Sequence, residues 1–301
     1  MTAEAAGLTP ERLLGTWNRA LGDRFPLRIE LARQFLSLDV DADASAVEPE
    51  GIVVAKRSGD EGWVGALVVE PSAQRRGVGG RLLRHALESL RAAGARTVRI
   101  GGDRLHLLPG VPEPGPADFF RRRGVELHPE VVDLRQRLDG WSPPAGLPAV
   151  APAGRWEPLL AFLHREFPGR WLWETEEARR RGADPGSYLL LREGGQVQGF
   201  ARVHHARPGA PRSGVIPASV YWSPLLDARA GGLGPIGVAA SMRGRGLGLG
   251  LLRAATAYLR ARGVADMVID WTRLVDFYAL AGFGVWKRYH PATAGPGDGG
   301  P

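Results

Sequence analysis

The sequence predicts two α/β (α+β) sheet domains in tandem, and three observations carry that prediction. The first is length: 301 residues are about two domains' worth of chain and enough to bury a sizeable core. The second is an internal repeat in which an apolar strand runs into a glycine-rich loop and then a helix, once around Gly77 and once around Gly246. The third is the interleaving of strand-like and helix-like patterns on both sides of each loop.

In chain order, the first unit opens with helical patterns at residues 10–21 and 27–36, followed by strands at 51–57 and 63–70. The loop Gln74-Arg75-Arg76-Gly77-Val78-Gly79 leads into a helix with Leu82, Leu83, Ala86 and Leu90 at spacings of three and four. Gly94 stops that helix before a β-type run at 97–100. Residues 106–115, rich in proline and glycine, are expected to be loop, with His106 a loop histidine, and Phe119-Phe120 then close a short helix at Gly124. The second unit repeats the plan: a helix at 156–166, a hairpin of 187–192 and 196–205 around Glu193-Gly194-Gly195, and a strand at 233–240. After the second loop come Leu251, Leu252, Ala255 and Leu259 on a helix ending at Gly263, a strand at 267–269, and Phe277-Tyr278 ahead of Gly282. Two strands precede the first loop and three the second, so the first unit is expected to be one strand short. The expected boundaries are a first domain at 1–140, a proline-rich linker at 141–146, a second domain at 147–290 and a disordered tail at 291–301, where no large apolar side chain is available as an anchor.

Composition narrows the class. With 44% hydrophobic and 24% charged residues, neither a wholly disordered chain nor a membrane bundle fits. The amino terminus lacks a basic-then-apolar signal, and no apolar run approaches the roughly 18 residues of a spanning helix, so a cytoplasmic protein without membrane partners is expected. Cysteine is absent, which removes disulfides, thiolate metal sites and a cysteine nucleophile, and no metal site is expected. The net charge of +7 rests almost wholly on arginine, since Lys56 and Lys287 are the only lysines, and it suits anionic partners. Arg121-Arg122-Arg123 and Arg179-Arg180-Arg181 raise a nucleic-acid reading, but the acids beside them, Asp118, Glu126, Glu176 and Glu177, make solvated faces the better one.

A strand that delivers a glycine loop to a helix N-terminus builds an anion site, because unpaired amides and the positive end of the helix dipole converge there. The P-loop would need Gly-Lys-Ser/Thr, and neither loop holds a lysine. The dinucleotide fingerprint should follow the first strand of its unit, whereas these loops follow several. The two loops resemble instead the Gln/Arg-x-x-Gly-x-Gly/Ala motif of the GCN5-related N-acetyltransferase family, over roughly residues 8–138 and 147–290.

That resemblance implies two tandem domains of this family, each a mixed, mostly antiparallel sheet flanked by helices, and acetyl-coenzyme A as the acyl donor. It implies that Ile236, Gly237 and Val238 pair with the pantetheine arm and that Arg243, Gly244, Arg245, Gly246, Leu247 and Gly248 cradle the pyrophosphate. It also puts Tyr278 where family members carry a tyrosine that protonates the departing thiolate. A phenol suits that role, since its reference pKa near 10 keeps the proton at neutral pH. In the first unit Gln74, Arg75, Arg76, Gly77, Val78 and Gly79 match the loop, but Phe120 replaces the tyrosine, so that domain is expected to be degenerate. Glu70, just before the first loop, is read either as an assisting carboxylate or as a strand-end surface acid. For a base in the second unit, Asp270, Glu174, His204, His205 and a water relay all remain open. Trp171, Trp173, Trp222 and Trp271 are read either as an acceptor pocket or as core. The acceptor implied is a primary amine on a small molecule or peptide; the alternatives are an acyl-coenzyme A sensor without turnover and, more weakly, a nucleic-acid-binding protein.

Overall fold

The computed structural model describes residues 7–105, 107–205 and 222–295, so His106 lies outside the described residues. In chain order the elements are α1 (Pro10–Leu21), α2 (Ile29–Phe35), β1 (Ala46–Glu48), β2 (Gly51–Ser58), β3 (Glu61–Val69), α3 (Val78–Ala92), β4 (Thr97–Ile100), β5 (Val111–Glu113), α4 (Ala117–Arg121), β6 (Val125–Leu127) and β7 (Val131–Arg137). They continue with β8 (Val150–Pro152), α5 (Trp156–Glu166), α6 (Arg170–Arg180), β9 (Tyr188–Glu193), β10 (Gln196–His205), β11 (Ala230–Val238), α7 (Leu247–Arg260), β12 (Asp266–Thr272), α8 (Val275–Ala279), β13 (Gly284–His290) and β14 (Ala292–Ala294). No helix of the described residues is long and apolar enough to cross a membrane.

Two compact units result: Met1–Val132 with Lys287–Pro301, and Asp133–Trp286. The change of unit therefore falls at Val132/Asp133 and again at Trp286/Lys287, not in the 141–146 segment or at residue 290. Both changes occur inside strands, β7 and β13.

In the first unit the strand order is β1-β2-β3-β4-β14-β6, with β3 and β4 parallel and the other registered pairs antiparallel. Helix α3 lays Leu82, Leu83, Ala86 and Leu90 on this sheet, against Val53, Ala55, Val64 and Val98, which is the face its three-and-four spacing dictates. Two expectations are corrected here and one holds: β1 gives this unit three strands before its loop and β8 to β11 give the second unit four, so the first unit is one strand short as expected, with one strand more in each than the sequence indicates. The 106–115 insertion is not all loop, because Val111–Glu113 pairs with Arg288–His290. Nor is the tail disordered throughout: Ala292–Ala294 inserts between β4 and β6, while residues 296–301 lie outside the described residues. The returning segment needs no large anchor, because its backbone is bonded on both sides and Tyr289, Ala292 and Ala294 are buried.

In the second unit β7, β12, β11, β10, β9 and β8 follow one another across the sheet, with β11 and β12 the parallel pair. Leu251, Leu252, Ala255 and Leu259 of α7 are buried. On its helix side Phe162 and Phe167, from α5 and just beyond it, form with Phe200 an aromatic cluster whose ring centroids lie about 6 Å apart.

Candidate active site

The parallel pair is incomplete in each unit, and it is incomplete at the same place. In the second unit β11 and β12 stay in register from Ala230↔Asp266 to Leu233↔Ile269 and then part; in the first, β3 and β4 run from Glu61↔Thr97 to Val64↔Ile100 and then part. The next residue is a glycine in both, Gly234 and Gly65.

Among the described residues β11 past the fork keeps only its antiparallel partner, with Ile236, Gly237 and Val238 opposite Ala201, Phe200 and Gly199 of β10. The Ala239 N–H donates to Gln198 on that side. Alternation along an antiparallel strand then turns the backbone groups of Val238 and Ile236 to the side β12 has left. All three residues are half-buried.

The glycine loops that follow share one backbone. Gly244 and Gly246 have φ of +75° and +74°, and their counterparts Arg75 and Gly77 have +62° and +86°. Gly246 and Gly77 are the N-caps of α7 and α3, and neither helix has a side-chain cap, so the first-turn amides have no partner within the helix. A Cβ on Gly244 or Gly246 would meet nothing within 4 Å; these glycines serve the backbone conformation and leave the approach open. An aromatic ring packs beside the second loop glycine in both units, Phe277 at 3.8 Å from a Cβ placed on Gly248 and Phe119 at 3.4 Å from one on Gly79. Each ring stands edge-on to its neighbour, Tyr278 at 5.0 Å and Phe120 at 5.1 Å.

Charge at the loops is distributed unequally. Arg243 is exposed. Arg245 reaches Glu193 at 3.2 Å and the Met242 sulfur at 3.0 Å. The Glu166 carboxylate, missed by the sequence reading, accepts the Ala240 N–H at 3.0 Å, and this bond and the one from Arg165 hold it below the usual carboxylate range. In the first unit the Gln74 amide turns back to the Val69 carbonyl at 3.2 Å, Arg76 lies 3.8 Å from Glu50, and Val78 is buried. Arg123 stacks 4.0 Å from the centre of Phe119. Glu70 is grasped by Arg19 at 2.6 and 2.9 Å, which lowers its pKa and fits the surface-acid reading.

Tyr278 is buried. Burial first, and the neighbouring Asp270 second, push its hydroxyl up to about 12, against the opposing hydrogen bond of Thr272. The phenol therefore holds its proton throughout the neutral range. Asp270 sits at the fork: a Cβ on Gly234 would lie 2.9 Å from its Oδ1. Around it, Glu174 is bound to Arg170, Asp133 accepts the Trp222 indole N–H and the Trp271 backbone N–H, both at 3.2 Å, and Arg170 stacks 4.3 Å from the centre of Trp271. Of the tryptophans, Trp222 is buried and Trp171 packs on Phe167 and Phe200. Asp133, Arg170 and Thr272 carry no motif and are unrecognisable before the fold brings them to Asp270 and Tyr278.

At the first unit's fork the residue in the register position of Asp270 is Gly101, and the acid that stands against the fork glycine is Asp103, two residues further on, whose Oδ2 would lie 3.2 Å from a Cβ on Gly65. Its Oδ1 is bound by Lys56 at 2.8 Å, both side chains being 1% exposed. A cleft of about 760 Å³ runs here along residues 64–69, past Gln74, Arg75, Gly77 and Gly79, to Phe119 and Phe120.

A model of the acetyltransferase (GNAT) family matches residues 35–104 and 156–283, one stretch per glycine loop. The chain belongs to the acetyltransferase (GNAT) family. Mycothiol acetyltransferase of Geodermatophilus obscurus is 28% identical over 291 residues, covering 88% of this chain and 85% of its own; that of Thermobispora bispora is 28% identical over 241 residues, 74% and 72%. Among solved structures, the GCN5-related glucosamine N-acetyltransferase region of a fungal multi-domain GH3 β-N-acetylglucosaminidase superposes with a TM-score of 0.81 at 26% identity, covering 94% of this chain and 36% of that longer one. A tandem GNAT protein from the clavulanic acid biosynthesis pathway has a TM-score of 0.63 at 21% identity over 99% of this chain and 98% of its own, and so shares the fold. The protein is thus an N-acetyltransferase of the GNAT family, two GNAT units in one chain.

Proposed function

We propose that the second unit moves an acetyl group from acetyl-coenzyme A to the primary amine of a small molecule, with Tyr278 as general acid. The observation that carries this reading is the fork: an open strand edge, an uncapped helix N-terminus and a buried, protonated phenol belong to one unit. Ile236 and Val238 offer backbone groups to the pantetheine arm, and Gly244 to Gly248 offer amides to the pyrophosphate, with Arg243 and Arg245 as exposed cations at that loop. The loop fits such a donor because Gly244 and Gly246 leave its mouth clear of side chains. The donor supplies the activated thioester carbonyl. The amine nitrogen bonds to that carbon, the carbon–sulfur bond breaks, and the Tyr278 hydroxyl gives its proton to the leaving sulfur. Mycothiol acetyltransferase relatives and the glucosamine N-acetyltransferase region favour a small amine-bearing acceptor, which makes glucosamine the first probe.

The first unit holds an acyl-coenzyme A without turning it over. Its cleft and loop, Gln74 to Gly79, keep the binding geometry, while Phe120 has no proton to give and Asp103 is held by Lys56. The test is release of free thiol from acetyl-coenzyme A across an amine panel that includes glucosamine, in the wild type and in Tyr278→Phe. The variant is expected to lose at least about 100-fold in kcat with its calorimetric Kd for acetyl-coenzyme A unchanged. Equal rates remove Tyr278 from the chemistry, and donor binding without thiol release above background for any amine supports a sensor instead.

A further inference from the structure

We propose that Asp270 is the general base of the second unit, its carboxylate taking the proton from the acceptor's ammonium at the point where β11 and β12 part. The inference rests on the acetyl-transfer reading above. An ammonium has no lone pair to attack with; one proton must leave before the carbon–nitrogen bond forms, and the group receiving it must stand beside the reacting carbonyl.

Position favours Asp270 over every other acid or imidazole considered. It follows Ile269, the last residue of β12 paired with β11, and its Oδ1 lies so close to the Gly234 Cα that a Cβ there would be 2.9 Å away. Only glycine fits at that point of β11. Asp270 is close enough to Tyr278 to raise its pKa, so proton acceptor and proton donor are electrostatic neighbours in one unit. The side chain is deep in the unit yet partly accessible, which is what a group meeting a small substrate requires.

Availability favours it as well. Glu174 is bound to Arg170, and Asp133 to two N–H donors. Among the described residues Asp270 forms no ion pair. The groups facing it are Asp133 from β7, Glu174 and Arg170 from α6, and Tyr278 from α8. Burial first, then Asp133, push its carboxyl up to about 7, with Arg170 and its own backbone N–H opposing. A base tuned to neutral pH takes a proton and releases it again at working pH. His204, pushed down to about 4 by burial and the Arg202 charge, is a far weaker acceptor.

The first unit supplies an internal control. Asp103 also stands against the fork glycine, but Lys56 binds it at 2.8 Å in a site closed to solvent. A carboxylate so held is unavailable to an incoming ammonium. One unit has a phenol and a carboxylate outside any ion pair among the described residues, and the other has a phenylalanine and a carboxylate held by a lysine.

The proton balance is simple. The ammonium gives one proton to Asp270 and the attacking nitrogen sheds a second to solvent, by way of Asp270 once that has emptied. The leaving sulfur gains one from Tyr278, which recovers it from solvent. No oxidant or further reactant enters.

The experiment uses the full chain with acetyl-coenzyme A and glucosamine, or the best amine of the panel, from pH 5.5 to 9. In the wild type kcat/KM is expected to fall as pH drops through about 7, because the base becomes protonated. Asp270→Asn is expected to lose about 100- to 1,000-fold at pH 7 and to lose that limb, while Asp270→Glu regains part of the rate. Both variants should bind acetyl-coenzyme A within about twofold of the wild type by calorimetry. A readout without turnover is the melting temperature. The folded-state pKa of Asp270 lies above the unfolded one, so the stability it gives is full below about pH 4 and lost as pH rises through about 7. Asp270→Asn should therefore melt with the wild type at pH 4 and above it at pH 8.5. An Asn variant within threefold of wild-type rate, or one that keeps the acidic limb, overturns the proposal, as does loss of donor binding in both variants. If the wild type itself turns over no amine, the acetyl-transfer reading falls, and this inference with it; wild-type turnover with an undiminished Asn variant removes Asp270 alone.

Discussion

The two forks of this chain share a backbone and differ in the groups that could move protons. Strand parting, fork glycine, left-handed loop and uncapped helix occur in both units, yet the second unit has Tyr278 and an Asp270 outside any ion pair among the described residues, and the first has Phe120 and a lysine-bound Asp103 against its fork glycine. The difference teaches that binding and chemistry are separable here. Holding an anionic donor needs only amides, a dipole and space; moving protons needs groups with free acids and bases at the right point.

The largest test of this separation is to close each anion site in turn. Gly246→Glu places a carboxylate at the mouth of the second loop, against the amides and in a conformation that disfavours any side chain. It is expected to weaken acetyl-coenzyme A binding there by at least about 100-fold and to abolish thiol release. Gly77→Glu should do the same to the first site while leaving turnover in place. Calorimetry reads the outcome directly, with two donor sites in the wild type and one in either variant. A single site in the wild type that survives Gly77→Glu would make the first unit's cleft irrelevant to the donor.

Next in size is Lys56→Met. It removes the partner of Asp103 and leaves a carboxylate buried with no cation, and its Oδ2 already lacks a hydrogen bond. Breaking one side of a buried pair typically costs about 3–5 kcal/mol, so the variant should melt well below the wild type. Little change at neutral pH would mean the pair does not hold the carboxylate as the contrast with Asp270 requires.

Much of this was legible beforehand, for reasons that also explain what was not. Both loops, both long helices and the place of Tyr278 follow from glycine spacing and from apolar residues recurring every three or four positions. Strands β1, β5 and β14 are three residues each, too short for an alternation to show, and β14 is held by pairing with residues that precede it in the chain by more than 160 positions. The two units change over inside strands β7 and β13, places that composition does not single out as it does the proline-rich 141–146 segment. Asp270 was visible only as one acid among several; what distinguishes it is the fork, a feature of pairing. Lys56 did leave a signal, one of two lysines in a chain that otherwise uses arginine, set in an apolar strand.

The smallest effects should come from the loop backbone itself, where the two units differ by one residue at a shared conformation. Gly244 and Arg75 both take φ above +60°, a region that costs a residue with a Cβ about 1–2 kcal/mol. Gly244→Ala should therefore destabilise the protein by about 1 kcal/mol, with no clash involved, since a Cβ there meets nothing within 4 Å. Arg75→Gly relieves the same strain but frees the unfolded chain by about 0.4–1 kcal/mol, so its net effect should stay within about 1 kcal/mol of zero. Paired denaturant midpoints read both. If Gly244→Ala proves neutral, the loop can relax out of the left-handed region, and the shared backbone would then be a property of two sequences rather than a requirement of the anion site. A cost in Gly244→Ala that disappears on adding acetyl-coenzyme A would instead show that the donor itself enforces the conformation.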